Sequence, residues 1–225
     1  GRIDLATLPL VYRAWTVASN LISGHTKQLF RCVGALAGSA AYMTVVLTKQ
    51  LALSPWLTVP LGVATAAGLG ALFSYVSVLR GLGVIFLGIV TLAFSLIFHN
   101  LVLGLRQFTN GETGLVTRGL GFPALEQALP AYYIFLAVLL LVFAGYSILM
   151  RSRMGLAVRA LSDDELTAEL SGIDVTWYKV LAAAVASAIL GLAGSLYGFY
   201  NGIVSPSVFS FVSVDIPVLI GLLLG

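Results

Sequence analysis

The chain has 225 residues, of which 59% are hydrophobic and only 9% are charged. Soluble domains average roughly 45–50% apolar and about 25% charged residues, so this composition excludes an ordinary soluble domain and indicates a membrane protein. The net charge of +3 comes from dispersed basic residues, which excludes a nucleic-acid-binding surface, and one cysteine, Cys32, excludes an intramolecular disulfide and a cysteine-based metal cluster.

Five apolar runs are long enough to cross the hydrocarbon core of a bilayer, which takes about 20 helical residues. In chain order they cover residues 33–53, 56–79, 82–105, 131–150 and 180–200, each bounded by Pro, Gly or charged residues. Two incomplete runs flank them, at residues 5–22, where Arg13 interrupts, and at residues 216–225. Unsatisfied backbone amides are costly in lipid and period-two alternation is missing, so every run predicts a helix. The predicted fold is an all-α, polytopic transmembrane helix bundle with about six to seven spans.

The chain begins with Gly and ends within an apolar run, so we expect a piece of a longer polytopic protein, with one transmembrane domain over residues 1–225. Lys and Arg residues in the loops predict orientation, because the richer side is cytoplasmic. Seven cations fall on one side of the spans and three on the other: Lys27, Arg31, Arg80, Arg151, Arg153, Arg159 and Lys179 against Lys49, Arg106 and Arg118. This bias predicts a cytoplasmic segment at residues 151–179 and an external loop at residues 106–130.

A strongly polar stretch, "RALSDDELTAELSGIDVTWYK", lies between two long apolar runs at residues 159–179. Ser162 followed three residues later by Glu165 is a capping-box pattern, and Gly172 is a natural C-terminal stop. The stretch therefore predicts a helix over residues 163–171.

This helix has an apolar face opposite a charged one. Leu166 and Leu170 are four residues apart and share one face, while Asp164 and Glu165 lie on the other. Two interpretations stay open: a solvated loop whose apolar residues rest on the bundle, or a docking helix that transmits movement from a soluble partner to the spans.

Four stretches of the sequence resemble one known family. The segment "RSRMGLAVRALSDDELTAELSGIDVTWYKVLA" at residues 151–182 resembles the cytoplasmic loop of permease subunits of ATP-driven (ABC) branched-chain amino acid importers. The stretches "LRGLGVIFLGIVTLAF" at 79–94, "TNGETGL" at 109–115 and "VSPSVFSFVSVD" at 204–215 resemble the same family in the same order. Each is short, but their order and spacing make the set specific.

The resemblance implies a function and a set of partners. In that family the cytoplasmic loop acts as a coupling helix that enters a groove of the ATPase subunit. By matching positions, the implied coupling residues are Asp164, Glu165, Ala168, Glu169, Gly172, Ile173 and Lys179. The implied partners are ABC ATPase subunits, a second permease subunit and an external substrate-binding protein, in a multi-pass chain surrounded by the lipid of the plasma (inner) membrane.

The sequence itself offers no site for a cofactor, and ATP is expected to be used by the partner chain. A P-loop requires a lysine after glycine, and Lys27, Lys49 and Lys179 each follow another residue type. His25, Cys32 and His99 lack metal-ligand spacing, so we expect no metal. A membrane-embedded enzyme would need clustered polar catalytic groups, which the spans lack.

Three functional interpretations remain. The first is an importer permease for branched-chain or related hydrophobic amino acids. The second is a urea or short-amide importer permease, because that subfamily is similar. The third is a diverged membrane protein without transport activity, since residues 27–33 differ from the family's usual Gly-Gln-x-Ser-Leu-Gly-His pattern.

Six residues in or beside the spans are candidates for a substrate pathway: Tyr42, Thr91, Phe94, His99, Ser205 and Asp215. Ionisable groups within spans cost at least about 2.5 kcal/mol near the bilayer centre. His99 is interpreted as a substrate contact, as a proton acceptor or as an interior-facing structural residue. Asp215 is interpreted either as a pathway residue or as the N-cap of a helix that starts at Ile216.

Small residues recur on one face of two predicted spans, at Ala184, Ser187, Gly191, Gly194 and Gly198, and at Gly62, Ala66, Gly70 and Ser74. Helices in lipid approach closely where small residues line the contact. Both stripes therefore predict helix-packing seams.

Overall fold

A computed structural model describes residues 2–24, 26, 28–120 and 122–224, the side chains of residues 2–5 and 224 excepted. Predictions that involve His25, Lys27 or Gly225 lie outside the described residues. The helices are α1 (Arg2–Ser23), α2 (Val33–Gln50), α3 (Pro55–Leu79), α4 (Val84–Gly104), α5 (Arg106–Thr109), α6 (Ala128–Arg151), α7 (Arg153–Asp163), α8 (Glu165–Leu170), α9 (Val175–Asn201) and α10 (Ile216–Leu224). A 3-10 turn (Gly111–Thr113) lies between α5 and the first strand, and a π-helical turn (Phe211–Asp215) directly precedes α10. Strands β1 (Leu115–Val116) and β2 (Ile203–Val204) pair antiparallel.

Among the described residues, four helices are long and apolar enough to cross a membrane: α3, α4, α6 and α9. They match four of the five complete runs and confirm the all-α, polytopic fold. The fifth run, residues 33–53, forms the 18-residue helix α2, which ends at Gln50 and does not reach that standard. α2 is long enough but not apolar enough, because its Ala and Gly residues and its terminal Lys49 and Gln50 lower its hydropathy, and most of its residues are buried by neighbouring helices.

The centre of the bundle is built by α2, α3 and α9, whose small residues face one another. A methyl group at Gly70 would lie 2.6 Å from Cβ of Ser187, and one at Gly191 would lie 2.7 Å from Cβ of Ala66. One at Gly194 would lie 2.5 Å from the carbonyl oxygen of Ala37 in α2. The two predicted stripes are therefore confirmed as packing seams, in which the backbones are too close for larger side chains.

Aromatic contacts join the segments at one end of the bundle. Phe122, in the loop between β1 and α6, contacts Trp56 at the start of α3, with ring centroids 5.3 Å apart. It also contacts Phe199 near the end of α9, at 5.2 Å. Segments that the charge bias placed on the external side therefore meet at the same end.

Candidate functional site

The polar segment folds as two short helices rather than one. α7 ends at Asp163 and α8 begins at Glu165, with Asp164 between them in an extended conformation (φ −148°, ψ 113°). The carboxylate of Asp164 accepts a hydrogen bond of 3.1 Å from the backbone N–H of Leu166. The predicted capping box at Ser162 is wrong, because Ser162 lies inside α7 and Asp164 supplies the N-cap of α8.

The end of α8 was predicted correctly at Gly172, which adopts a positive φ of 85°. The N–H of Gly172 donates to the carbonyl of Glu169 at 2.9 Å, and the N–H of Ile173 donates to that of Ala168 at 3.1 Å. This pair of bonds is a Schellman motif, in which glycine tolerates the left-handed conformation after the last turn.

The inner face of α8 is anchored by a small apolar cluster. Ala168 packs with Leu161 of α7 and Val175 of α9, and all three are buried, with Ile173 packed against them. Leu166 and Leu170, in contrast, are 66% and 81% exposed. The leucines therefore do not rest on the bundle, which argues against the first of the two interpretations of this segment.

An ion pair joins α8 to the membrane helix α9. Nζ of Lys179 lies 2.6 Å from Oε2 of Glu165, and the Lys179 side chain is only 11% exposed, while that of Glu165 is 50% exposed. A poorly solvated ammonium is strongly disfavoured without its carboxylate. The seven predicted coupling residues thus lie together, with Glu169 exposed on the outer side of α8.

Non-helical backbone enters the bundle just before α2. The N–H of Arg31 donates to Oγ1 of Thr91 at 3.0 Å, and Thr91 lies seven residues inside α4. Oε1 of Gln28 accepts from the hydroxyl of Ser74 in α3 at 3.0 Å. Residues 28–32 therefore lie at the depth of the spans, where irregular backbone is tolerated only if protein groups satisfy it.

Asp215 completes this arrangement from the other end of the chain. Its carboxylate accepts hydrogen bonds from the N–H groups of Val33, at 2.7 Å, and Gly34, at 3.3 Å, and the residue has no exposed surface. The predicted N-cap role at Ile216 is wrong, because the π-helical turn continues directly into α10. Asp215 instead caps α2, where a carboxylate complements the helix dipole.

The six pathway candidates do not form one site. Tyr42 and Phe94 line an apolar cavity of about 380 Å³ between α2 and α4, whereas Thr91 and Asp215 hold the backbone at the start of α2. The hydroxyl of Ser205 is hydrogen-bonded to that of Ser207, with 2.9 Å between the two Oγ atoms. His99 is partly buried and does not line the cavity.

Gln28 was not among the candidates, although it is 3% exposed and anchors the entry to α2. A glutamine beside a basic stretch looks like an ordinary solvated residue in the sequence. The sequence did offer a signal, because Gln28 fits the family's pattern before this span, but that match does not show that the backbone there turns into the bundle.

The fold and the polar segment together define a multi-pass membrane protein with an ordered polar module attached to one of its spans. A sequence model of the family described as "Branched-chain amino acid transport system / permease component" matches residues 17–225. The chain belongs to this family.

Curated relatives share the same description. The chain is 30% identical over 237 aligned positions to the high-affinity branched-chain amino acid transport system permease protein LivM of Salmonella typhimurium, covering 94% of this chain and 55% of the relative. It is 27% identical to LivM of Escherichia coli, with the same coverage. It is also 27% identical to the probable branched-chain amino acid transport permease protein LivH of Methanocaldococcus jannaschii, over 76% of this chain and 57% of the relative. The chain thus spans little more than half the length of these relatives. No solved structure gives a significant match.

Proposed function

We propose that the chain is a transmembrane permease subunit of an ATP-binding cassette importer that moves branched-chain or related hydrophobic amino acids across the plasma membrane. It works with a second permease subunit, ATPase subunits that use the ATP, and an external binding protein that meets residues 106–130. Family membership supports this proposal, and the matching relatives carry branched-chain amino acid transport in their names.

The single observation that carries the coupling role is the exposed apolar face of α8. Leu166 and Leu170 project from a helix whose inner face is fixed by Ala168 and whose first residue is paired with Lys179. Exposed leucines on an otherwise charged helix that is anchored on its other face indicate an interaction surface. We assign this face to the groove of an ATPase subunit.

Force applied to α8 has a continuous route into the spans. The Glu165–Lys179 pair and the Ala168–Val175 contact connect α8 to the first turns of α9. α9 in turn packs against α3 and α2 through seams of small residues, where even one added methyl group would clash with the neighbouring helix. Movement of α8 therefore displaces α9 together with its neighbours.

The cavity beside Tyr42 and Phe94 is the candidate pathway for the substrate. It is lined almost entirely by apolar atoms and is partly open, which suits an aliphatic side chain. Thr91 and Asp215 act as positioning residues, because they fix the helix that carries Tyr42. His99 and Ser205 stay predictions, since neither lines this cavity.

A double substitution of the exposed leucines tests the coupling role. The transporter, containing the full-length permease and its partner subunits, is reconstituted in vesicles, and uptake of L-leucine and ATP hydrolysis are measured together. Leu166→Ala with Leu170→Ala is expected to lower uptake at least about fivefold, because each anchor in an interface contributes more than about 1 kcal/mol. The unfolding temperature should stay unchanged, since both side chains are exposed.

A matched control uses leucines of similar exposure elsewhere. Leu140 and Leu141, on α6, are 60% and 71% exposed, and their substitution by alanine should leave coupling intact. Crosslinking from Leu170→Cys is a second readout, because this substitution adds an exposed thiol. The native Cys32 is buried and should not compete with that thiol for the crosslinker. Normal uptake by the Leu166→Ala, Leu170→Ala variant, or a Leu170→Cys crosslink that captures no ATPase, would contradict the assignment.

A further inference from the structure

A groove of about 340 Å³ lies between α1, α6 and α9. Its lining is almost entirely apolar and includes Leu21 of α1, Val138 and Leu149 of α6, and Ile189 of α9. Gly145, which also lines the groove, is exposed, so the groove opens onto the surface of the bundle. The described helices therefore leave a concave apolar surface beside the spanning helix α6.

The groove is about as long as one leaflet of a bilayer is thick. Val138 and Leu149 are its first and last residues on α6, and at 1.5 Å per helical residue they are about 16 Å apart along the helix axis. The hydrocarbon core of a bilayer is about 30 Å thick, so each leaflet contributes about 15 Å. Because Leu149 is two residues from the end of α6, one end of the groove lies at the membrane surface predicted to be cytoplasmic.

Arginines surround this end of the groove. Arg151 ends α6, and Arg153 begins α7 after the intervening Ser152. Arg159, further along α7, acts electrostatically on Tyr146 of the groove lining, so its guanidinium lies close to the groove. All three arginines are exposed, and within the described residues none of them forms an ion pair with a carboxylate. The groove thus ends beside positive charge that the described residues do not neutralise.

The exposed face of α7 suits a helix that lies at a membrane surface. Arg153, Leu156 and Arg159 are spaced by three residues and share this face, and Leu156 is 62% exposed. A leucine between two arginines suits the boundary between acyl chains and headgroups. A methyl group at Gly155 would lie 2.5 Å from the carbonyl oxygen of Leu149, so α7 is packed tightly against the end of α6. This packing keeps the arginines beside the groove.

We propose that the groove binds one anionic phospholipid from the leaflet on the side predicted to be cytoplasmic. One acyl chain lies along the apolar lining, and the phosphate oxygens accept charge-assisted hydrogen bonds from Arg159, with Arg151 and Arg153 beside them. A zwitterionic lipid fits less well, because its headgroup amine adds positive charge next to the arginines. The bound lipid holds α7, which leads into α8, against α6.

The binding experiment uses the full-length permease, stripped of lipid in detergent, and counts bound lipids by native mass spectrometry. Dioleoylphosphatidylglycerol should occupy one site with at least tenfold higher affinity than dioleoylphosphatidylcholine, which carries the same acyl chains. Glycerophosphoglycerol, which is the same headgroup without acyl chains, should not displace the bound lipid. Equal affinities of the two lipids, or displacement by glycerophosphoglycerol, would overturn the proposal. This comparison uses the unaltered chain and does not depend on the folding of a variant.

Two substitutions with matched controls locate the site. Gly145→Leu should fill the groove and weaken phosphatidylglycerol binding at least tenfold, whereas Gly68→Leu on α3 should leave it unchanged; a methyl group at either glycine meets no atom within 4 Å. Arg159→Gln should remove the preference for phosphatidylglycerol, whereas Arg80→Gln, at an exposed position just after α3, should retain it.

An unchanged affinity in Gly145→Leu is the result expected if another segment of the full-length chain fills the groove, and it would overturn the proposal. An unchanged lipid preference in Arg159→Gln would do the same. Neither substrate nor ATP enters these measurements, so failure of the uptake experiment would leave the lipid result standing.

Discussion

Replacing Asp215 with alanine should destabilise the protein more than any other loss of a single helix cap that the structure describes. The carboxylate accepts from the N–H groups of Val33 and Gly34 at the first turn of α2. Alanine removes both acceptors and leaves two amide groups without partners.

The magnitude follows from the packing around these amides. A methyl group at Gly34 would lie 2.6 Å from the carbonyl oxygen of Phe209, so the neighbouring space is already filled by protein. Each orphaned, buried amide costs about 1–3 kcal/mol, which gives about 2–6 kcal/mol for the pair if neither reaches water. One kcal/mol corresponds to about 2–4 °C in a chain of 150–250 residues and to less in a longer one. We therefore expect the unfolding temperature of the full-length chain to fall by at least about 2 °C.

Thermal unfolding of the full-length chain in nanodiscs, followed by intrinsic tryptophan fluorescence, measures this effect. Asp174→Ala is the matched control, because Asp174 caps α9 through the N–H of Trp177 at 2.9 Å but is exposed. Water can replace that acceptor, so its loss costs only about 0.5–2 kcal/mol. If Asp215→Ala lowers the unfolding temperature no more than Asp174→Ala does, the argument that Asp215 caps a buried helix end is refuted.

Three further substitutions test the packing and the local geometry. Gly70→Ala should lower the unfolding temperature because its methyl group would clash with Ser187. Gly68→Ala, whose methyl group would meet no atom within 4 Å, should raise the unfolding temperature slightly through better helix propensity. Equal effects of the two substitutions would refute the close packing of α3 against α9 at Gly70. Gly172→Ala should destabilise by about 1 kcal/mol in the same assay, because its φ of 85° strains any residue with a Cβ, and an unchanged unfolding temperature would contradict the Schellman geometry. Thr91→Val should cost about 1–3 kcal/mol by orphaning the N–H of Arg31. Thr65→Val is the near-neutral comparison, because the Thr65 hydroxyl donates to the carbonyl of Gly62 in its own helix.

The sequence was sufficient to predict features that depend on local chemistry or on composition. Run length and hydropathy identified α3, α4, α6 and α9, because the thickness of the bilayer sets the length of a spanning helix. Spacing alone identified the stripe on α9, since residues three and four apart share a helix face. Gly172 ended α8 as predicted, because a left-handed cap favours glycine.

Features that depend on distant partners could not be predicted in this way. Asp215 is 182 positions from Val33, and no local pattern reveals which helix end it meets. The N-cap of α8 was misplaced by two residues because Ser162 and Asp164 both suit that role in sequence, and only the break after α7 decides between them. The run at residues 33–53 was counted as a complete span like the other four, since a count of apolar residues cannot distinguish burial in protein from burial in lipid.

The position of α2 determines what movement of α9 can do. α2 contacts α9 where Gly194 approaches Ala37, and it contacts α3 where Gly62 approaches Ala40. Interiors packed this closely transmit displacement rather than absorb it, so α2 follows its neighbours. Its N-terminus, however, is held by Asp215, which belongs to the segment leading into α10 and not to the α2–α3–α9 core. Any shift of that core relative to α10 must therefore stretch or break the bonds to Val33 and Gly34, and a variant without this carboxylate should change coupling as well as stability.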